Sequence, residues 1–235
     1  MRDKRPQLNK ALFIVLLFFL IVPAFIYSSW INYEQRKWDD LQLLKTATKP
    51  HRGTYSERSF VLQLLKKGFH PKAIFHDIYV KKQDGNYTQI DLVLATKVGL
   101  LAIEIKDYAG RIYGKGNQKY WTQVLSYGRI KHRFYNPVMQ NANHIVHLKK
   151  LLAKEKVPIF NVIIFYGNSS FYGVSEIPNG VFCVKDYQAL KAIDFIINNN
   201  PLAHYTDKHE VVSILNETVA NGDETYCTFS CKLCK

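Results

Sequence analysis

The sequence predicts an α/β domain, with a mixed central sheet flanked by helices, set behind one N-terminal transmembrane helix. Three observations predict it. Ala11 to Ile31 carries no charged side chain and is rich in Leu, Ile, Val and Phe. Gln89 to Thr96 and Leu100 to Asp107 are strand-like apolar runs separated only by Lys97-Val-Gly99. Ile159-Phe-Asn-Val-Ile-Ile-Phe-Tyr166 is a continuous apolar run suited to a buried strand reached by a crossover.

Residues 1–31 read as a basic N-terminus and a membrane segment. Roughly 17 to 25 apolar residues span a bilayer, and Ala11 to Ile31 meets that length. Arg2, Lys4, Arg5 and Lys10 precede it, no small-residue cleavage site follows, and Trp30 and Tyr33 stand where interfacial anchors would. The segment therefore reads as an uncleaved signal anchor. Arg36, Lys37, Lys45 and Lys49 balance the N-terminal cations, which leaves the orientation open. Residues 32–52 form a juxtamembrane helix or linker, with Trp38, Leu41 and Leu44 at helical spacing.

The main domain is expected over residues 53–222. Phe60, Val61, Leu64 and Leu65 recur at helical intervals and stop at Lys67-Gly68, with Glu57 in the first turn. Ile74 to Lys81 predicts a strand, Asp84-Gly-Asn86 a hairpin turn, and the next two runs complete an antiparallel meander. Gly110 to Trp121, rich in Gly, Tyr and Lys, reads as a loop or small hairpin beside a cleft. Val138 to Lys154 predicts a helix that Pro158 ends, and Asp186 to Asn198 and Lys208 to Val219 predict two more. In the tail, residues 223–235, the spacing of Cys227, Cys231 and Cys234 is compatible with zinc, but a structural site wants four ligands.

Hydrophobic residues make up 47% of the 235, enough for a substantial core, and four cysteines do not describe a disulfide scaffold. Cys183, in Val181-Phe-Cys-Val184, reads as a buried thiol. The formal net charge of +13 predicts attraction to polyanions, either nucleic acid or an anionic membrane surface. Lys115, Lys119, Arg129, Lys131 and Arg133 lie among Tyr113, Tyr120, Trp121 and Phe134, a mixture suited to phosphate contacts with some base stacking. Lys115, Lys119, Trp121, Arg129, Lys131 and Arg133 are the candidate nucleic-acid contacts. The alternative is a solvated basic loop with core aromatics.

Alternation along strands puts Gln89, Asp91 and Val93 on one face, and Ala102, Glu104 and Lys106 on one face of the next strand. Charges within apolar strands cost several kcal/mol unless paired or holding a cation. Hydrolysis of a phosphodiester uses a divalent cation on one or two carboxylates, which Asp91 and Glu104 could supply, with Lys106 beside the reacting phosphate. A salt bridge between a carboxylate and Lys106 is the competing explanation. His144 and His147 lack the partner pattern of a zinc protease and read as surface or packing residues.

Together with Gly53-Thr-Tyr-Ser-Glu-Arg58, Gly110-Arg-Ile-Tyr-Gly114, Trp121 and Asn136-Pro-Val-Met-Gln-Asn-Ala-Asn-His144, the ordered set Gln-Ile-Asp91 and Ile-Glu104-Ile-Lys106 resembles the nuclease-related domain (NERD) family of restriction-endonuclease-like nucleases. The resemblance covers about Gly53 to Tyr166. It implies a restriction-endonuclease-like core and a nuclease using Mg2+ or Mn2+ on DNA. Asp91 and Glu104 would be metal ligands, Lys106 the electrostatic and water-positioning group, and Gln140 and Glu57 supporting residues. A non-catalytic nucleic-acid-binding or interaction module of the same fold is the alternative.

Overall fold

The computed structural model describes residues 10–233, with side chains described except at 10–16, 20, 127 and 224–233. Cys227, Cys231 and Cys234, and with them the zinc question, lie outside the described side chains. The chain divides into two compact units, Met1–Leu43 and Leu44–Lys235.

Helix α1 (Lys10–Lys45) is continuous, so the juxtamembrane stretch carries on the helix of the apolar segment through residue 45. Over Leu17–Lys45 it is long and apolar enough, by length and composition, to cross a membrane. Phe18, Phe19, Phe25, Trp30 and Tyr33 are exposed along it.

In the second unit α2 (Tyr55–Lys67) starts where Thr54 accepts the Glu57 N–H and stops at Gly68, whose left-handed backbone returns its N–H to the carbonyls of Leu64 and Leu65. The expected meander follows as β1 (Ile74–Lys81), β2 (Tyr87–Thr96) and β3 (Gly99–Asp107), paired antiparallel. The small hairpin expected from Gly110 to Trp121 appears as β4 (Gly110–Lys115) paired antiparallel with β5 (Tyr120–Leu125), and β6 (Ile130–Tyr135), not expected from the sequence, adds a third short strand. Helix α3 (Pro137–Leu151) is capped by Asn136 and ends several residues ahead of Pro158. Then come β7 (Ile159–Tyr166), β8 (Ser169–Ser175), β9 (Val181–Lys185), α4 (Asp186–Asn199) and α5 (Lys208–Leu233). Helix α5 runs well beyond the expected stop at Val219.

One sheet has the order β1-β2-β3-β7-β9, with β7 parallel to both β3 and β9. This mixed sheet with flanking helices is consistent with the restriction-endonuclease-like expectation. A second sheet has the order β6-β5-β4-β8. Its inner face sets Ile112, Trp121, Phe134 and Phe171 against Ile163 and Phe165 of β7. Trp121 stacks on Phe165, ring centroids 6.1 Å apart and planes within 9°.

Strict alternation fails at one place in the first sheet, and the failure shapes the site. Phe75 and Ile78, three residues apart, enter the same core cluster, as do their partners Val93 and Ile90. Between them Asp77 takes a left-handed backbone, φ 55°, and drops out of the β1–β2 ladder. Such a kink re-aims the side chains around it. Gln89 therefore leaves the face expected for it and bonds Asp77, whereas Asp91 and Val93 keep a shared face, in the register that sets them opposite Glu104 and Ala102.

Candidate functional site

Glu104 stands near the end of β3, on the strand that pairs with β2 on one side and β7 on the other. Continuing the Leu92–Ile103 register puts Asp91 opposite it, one step past the last ladder pair. There the Asp91 side chain takes the place of a backbone partner and accepts the Ile105 N–H at 2.8 Å. Lys106, one strand repeat beyond Glu104, sets its Nζ 2.6 Å from Glu104 Oε1, as shared-face alternation requires. Glu104 is 1% exposed.

Glu57 reaches the same region from α2. Thr54 donates its hydroxyl to Glu57 Oε1 at 2.7 Å, and His76 Nε2 lies 3.2 Å from Glu57 Oε2. The other ring nitrogen of His76 is 2.7 Å from the Thr48 hydroxyl. Gly53, at φ 63°, passes so close that a Cβ would meet Glu57 Oε2 at 2.4 Å and His76 Nε2 at 2.5 Å. Beneath this layer Arg52 and Asp77, both buried, form an ion pair at 3.1 Å. Arg52 also donates to the Val219 carbonyl of α5 at 2.8 Å, and Gln89 donates to Asp77 Oδ1 at 2.6 Å. The kinked residue is thus held by Arg52 and Gln89, and Arg52 in turn by α5.

Helix α3 closes the opposite side. Asn136 donates to the carbonyls of Gly116 and Gln118 at 2.9 and 2.7 Å, which locks the β4–β5 turn to the start of the helix. Asn141 donates to Ala102 O and Asn161 Oδ1, each at 2.8 Å, and ties α3 to β3 and β7. One turn after half-buried Gln140, His144 brings Nε2 to 3.5 Å from Glu104 Oε2, while Nδ1 lies 3.0 Å from the Thr88 hydroxyl.

The charges are strongly coupled. Burial pushes the Asp91 carboxyl well above its ordinary value; the negative charges of Glu104 and Glu57 push the same way, and the Ile105 N–H and Lys106 oppose them only in part. Burial would also raise Glu57, but its bonds to His76 and Thr54 outweigh that and hold it below the usual range. Burial works against the Lys106 ammonium, yet Glu104 and Asp91 more than compensate and raise its pKa. Among the described residues, Glu104 Oε2, Asn141 Oδ1 and His144 Nε2 are buried side-chain atoms without a hydrogen-bond partner. No three His, Cys, Asp or Glu side chains among the described residues converge on one metal position.

The structure thus brings Asp91, Glu104, Lys106 and Glu57 together, with Gln140 on the helix that covers them. His144 and His76 were not expected there. His144 read as a surface or packing residue, and His76 lies in an apolar strand run that gives no hint of its contact with Glu57. The proposed nucleic-acid contacts divide differently. Trp121 is fully buried and donates its indole N–H to the Lys115 carbonyl at 3.0 Å, so it cannot stack on a base. It belongs to the core, which corrects the sequence-based expectation. Lys115 is exposed but bound to Glu176 at 2.6 Å. Lys119, Arg129, Lys131 and Arg133 are exposed, Lys119 and Arg133 with their cations over the Tyr120 ring at 5.6 and 5.0 Å.

Residues 52–166 match a family model described as the nuclease-related domain. An uncharacterized protein of Bacillus anthracis is 30% identical over 138 residues, which cover 56% of this chain and 63% of that protein. The match thus spans under two thirds of that relative's length. No solved structure matches the chain.

Proposed function

We propose, from the match of residues 52–166 to the nuclease-related domain model, that the protein is a membrane-anchored nuclease hydrolysing DNA phosphodiester bonds with Mg2+ or Mn2+. The observation that carries the cleaving step is geometric: Lys106 Nζ lies 2.6 Å from Glu104, and the strand register sets Asp91 opposite Glu104. Burial and the charges of Glu104 and Glu57 also push the Asp91 carboxyl upward. A carboxylate cluster of this kind binds a proton or a cation to relieve its repulsion.

Asp91 and Glu104 are the residues that would hold the metal. Two carboxylates are a sufficient protein contribution for an ion that keeps several waters. The buried Glu104 Oε2 makes no hydrogen bond and is approached by His144 Nε2 at 3.5 Å, which supports the fit, because such an atom is costly unless something meets it more closely. When bound, the ion would polarise the phosphate and lower the pKa of an attacking water. Lys106 keeps its proton and would set positive charge against the phosphate oxygens as charge builds on them. Glu57, fixed by His76 and Thr54, adds to the negative field that selects a cation. Gln140 would orient substrate or water from α3. Helix α1 would anchor the domain to the membrane, as its length and apolar composition allow.

A second reading keeps the fold and nucleic-acid contact without turnover. Two observations favour it over cleavage: Lys106 already neutralises Glu104 at 2.6 Å, and among the described residues no three ligand side chains converge. Incubation of the detergent-solubilised full chain with linear and circular DNA in Mg2+ or Mn2+ separates the two. Cleavage that Asp91→Ala abolishes is expected. Cleavage no greater than that of Asp91→Ala, with salt-sensitive DNA binding unaffected by chelator, would leave the non-catalytic module standing.

A further inference from the structure

We infer that the outer face of the β6-β5-β4-β8 sheet is a platform for single-stranded nucleic acid, an inference that rests on the reading of this domain as one that acts on nucleic acid. The pairing register puts Arg111 and Tyr113 of β4, Tyr120, Thr122 and Val124 of β5, and Lys131, Arg133 and Tyr135 of β6 on the face opposite Ile112, Trp121 and Phe134. Alternation from inward-facing Phe171 turns Tyr172 of β8 to the same face, where its ring lies 4.5 Å from the Arg111 guanidinium and 6.1 Å from Tyr113. At the other end Tyr120 meets Tyr135 edge to face at 6.2 Å, with Arg133 over it at 5.0 Å. Tyr172 is 59% exposed and Tyr120 44%.

Two features identify the occupant. The four strands contain no Asp or Glu, and this face carries Arg111, Lys131 and Arg133; the acid just beyond β8, Glu176, is bound to Lys115. Open tyrosine rings set among cations on a sheet are what successive unpaired bases stack on while their phosphates are neutralised. A duplex hides its base faces and would use the cations alone. A lipid surface would be met by protruding Trp, Phe or Leu, whereas Val124 is the aliphatic side chain at the centre of this face. Beside Tyr113, where Arg111, Val124 and Lys131 lie side by side, is an open groove of about 500 Å3, lined also by Thr122 and Gly128, within the roughly 300–1,000 Å3 of ligand clefts. Arg111 follows Lys106 by five residues, so their Cα atoms are at most roughly 18 Å apart. One strand could therefore contact both the platform and the Asp91–Glu104 centre.

The test is fluorescence anisotropy of a short labelled oligodeoxythymidylate with the detergent-solubilised full chain in EDTA, where no cleavage occurs. Tyr120→Ala with Tyr172→Ala is expected to weaken single-strand binding by roughly tenfold or more while duplex affinity changes little. Lys131→Ala with Arg133→Ala should lower the slope of log affinity against log salt by roughly 0.7 per charge removed. In an Asp91→Ala background the tyrosine substitutions should still weaken single-strand binding by a similar factor, which separates failure of the platform from failure of the cleavage reading. Unchanged affinity in the tyrosine variant, with its unfolding midpoint retained, would overturn the inference. So would equal losses for duplex and single strand, or displacement of the strand by micelles of an anionic short-chain phospholipid more readily than by unlabelled oligodeoxythymidylate.

Discussion

Replacing Gly53 by alanine tests whether the Glu57–His76 layer is as tightly built as the distances indicate. The backbone at Gly53 has φ 63°, a conformation costing an L-residue about 1–2 kcal/mol. The added Cβ would also lie 2.4 Å from Glu57 Oε2 and 2.5 Å from His76 Nε2, well inside contact distance. Both side chains are buried, and His76 is pinned from behind by Thr48, so neither can swing into solvent. Relief therefore breaks the Glu57–His76 bond, a charged hydrogen bond contributing about 1.5–3 kcal/mol. The two contributions sum to about 2.5–5 kcal/mol. For a domain of this size each kcal/mol moves the midpoint by roughly 2–4 °C, so a fall of about 5–20 °C is expected. Thermal unfolding of the detergent-solubilised chain, followed by the fluorescence of buried Trp121, measures it. A midpoint within about 2 °C of the wild type would show that the loop yields freely and refute the reasoning.

The raised pKa of Asp91 has a definite sign. The folded chain holds this proton above pH values at which an unfolded Asp, near 3.9, has lost it. Its stabilising contribution is complete below the unfolded value and is lost as pH rises through the folded pKa. Metal-free Asp91→Asn, which keeps an acceptor for Ile105, should therefore lose that part of the decline, read as a narrowing difference in midpoint between variant and wild type as pH falls towards 4. Mg2+ or Mn2+ should raise the midpoint of the wild type and not of the variant. Lys106→Met leaves the buried Glu104 carboxylate uncompensated and should destabilise by about 3–5 kcal/mol in chelator, with partial recovery in Mn2+; denaturant melts with and without metal would detect this, and a loss below 1 kcal/mol would count against it. Trp121→Ala should cost about 3–5 kcal/mol through an unfilled core site. Its oligonucleotide affinity, measured well below the lowered midpoint, should match the wild type, and a selective binding loss would return Trp121 to the interface.

Local pattern made much of the fold legible. Helical spacing ending at a glycine marked α2, and three strand runs separated by short turns marked β1 to β3, because these elements are bounded by residues close in sequence. The extended α5 and the second sheet were harder to see. Strands such as Ser169–Ser175 are short and polar outside, and they become strands only because β4 offers them a partner. The site shows the same division. Asp91, Glu104 and Lys106 stand out because charges inside apolar strands need a reason. His76, Asp77 and Arg52 do not, since their meaning comes from a kink and an ion pair across 25 residues.

From the chain alone one could read an apolar anchor, a meander carrying two acids and a lysine, and an excess of positive charge, all properties of neighbouring residues and their periodicity. Tertiary structure decided which aromatics are core and which are surface, because the choice of face depends on strand pairing and one residue of register reverses it. It also decided the electrostatics. Burial and the approach of Glu57 from a separate helix, rather than the identity of Asp91, determine how tightly that carboxyl holds its proton.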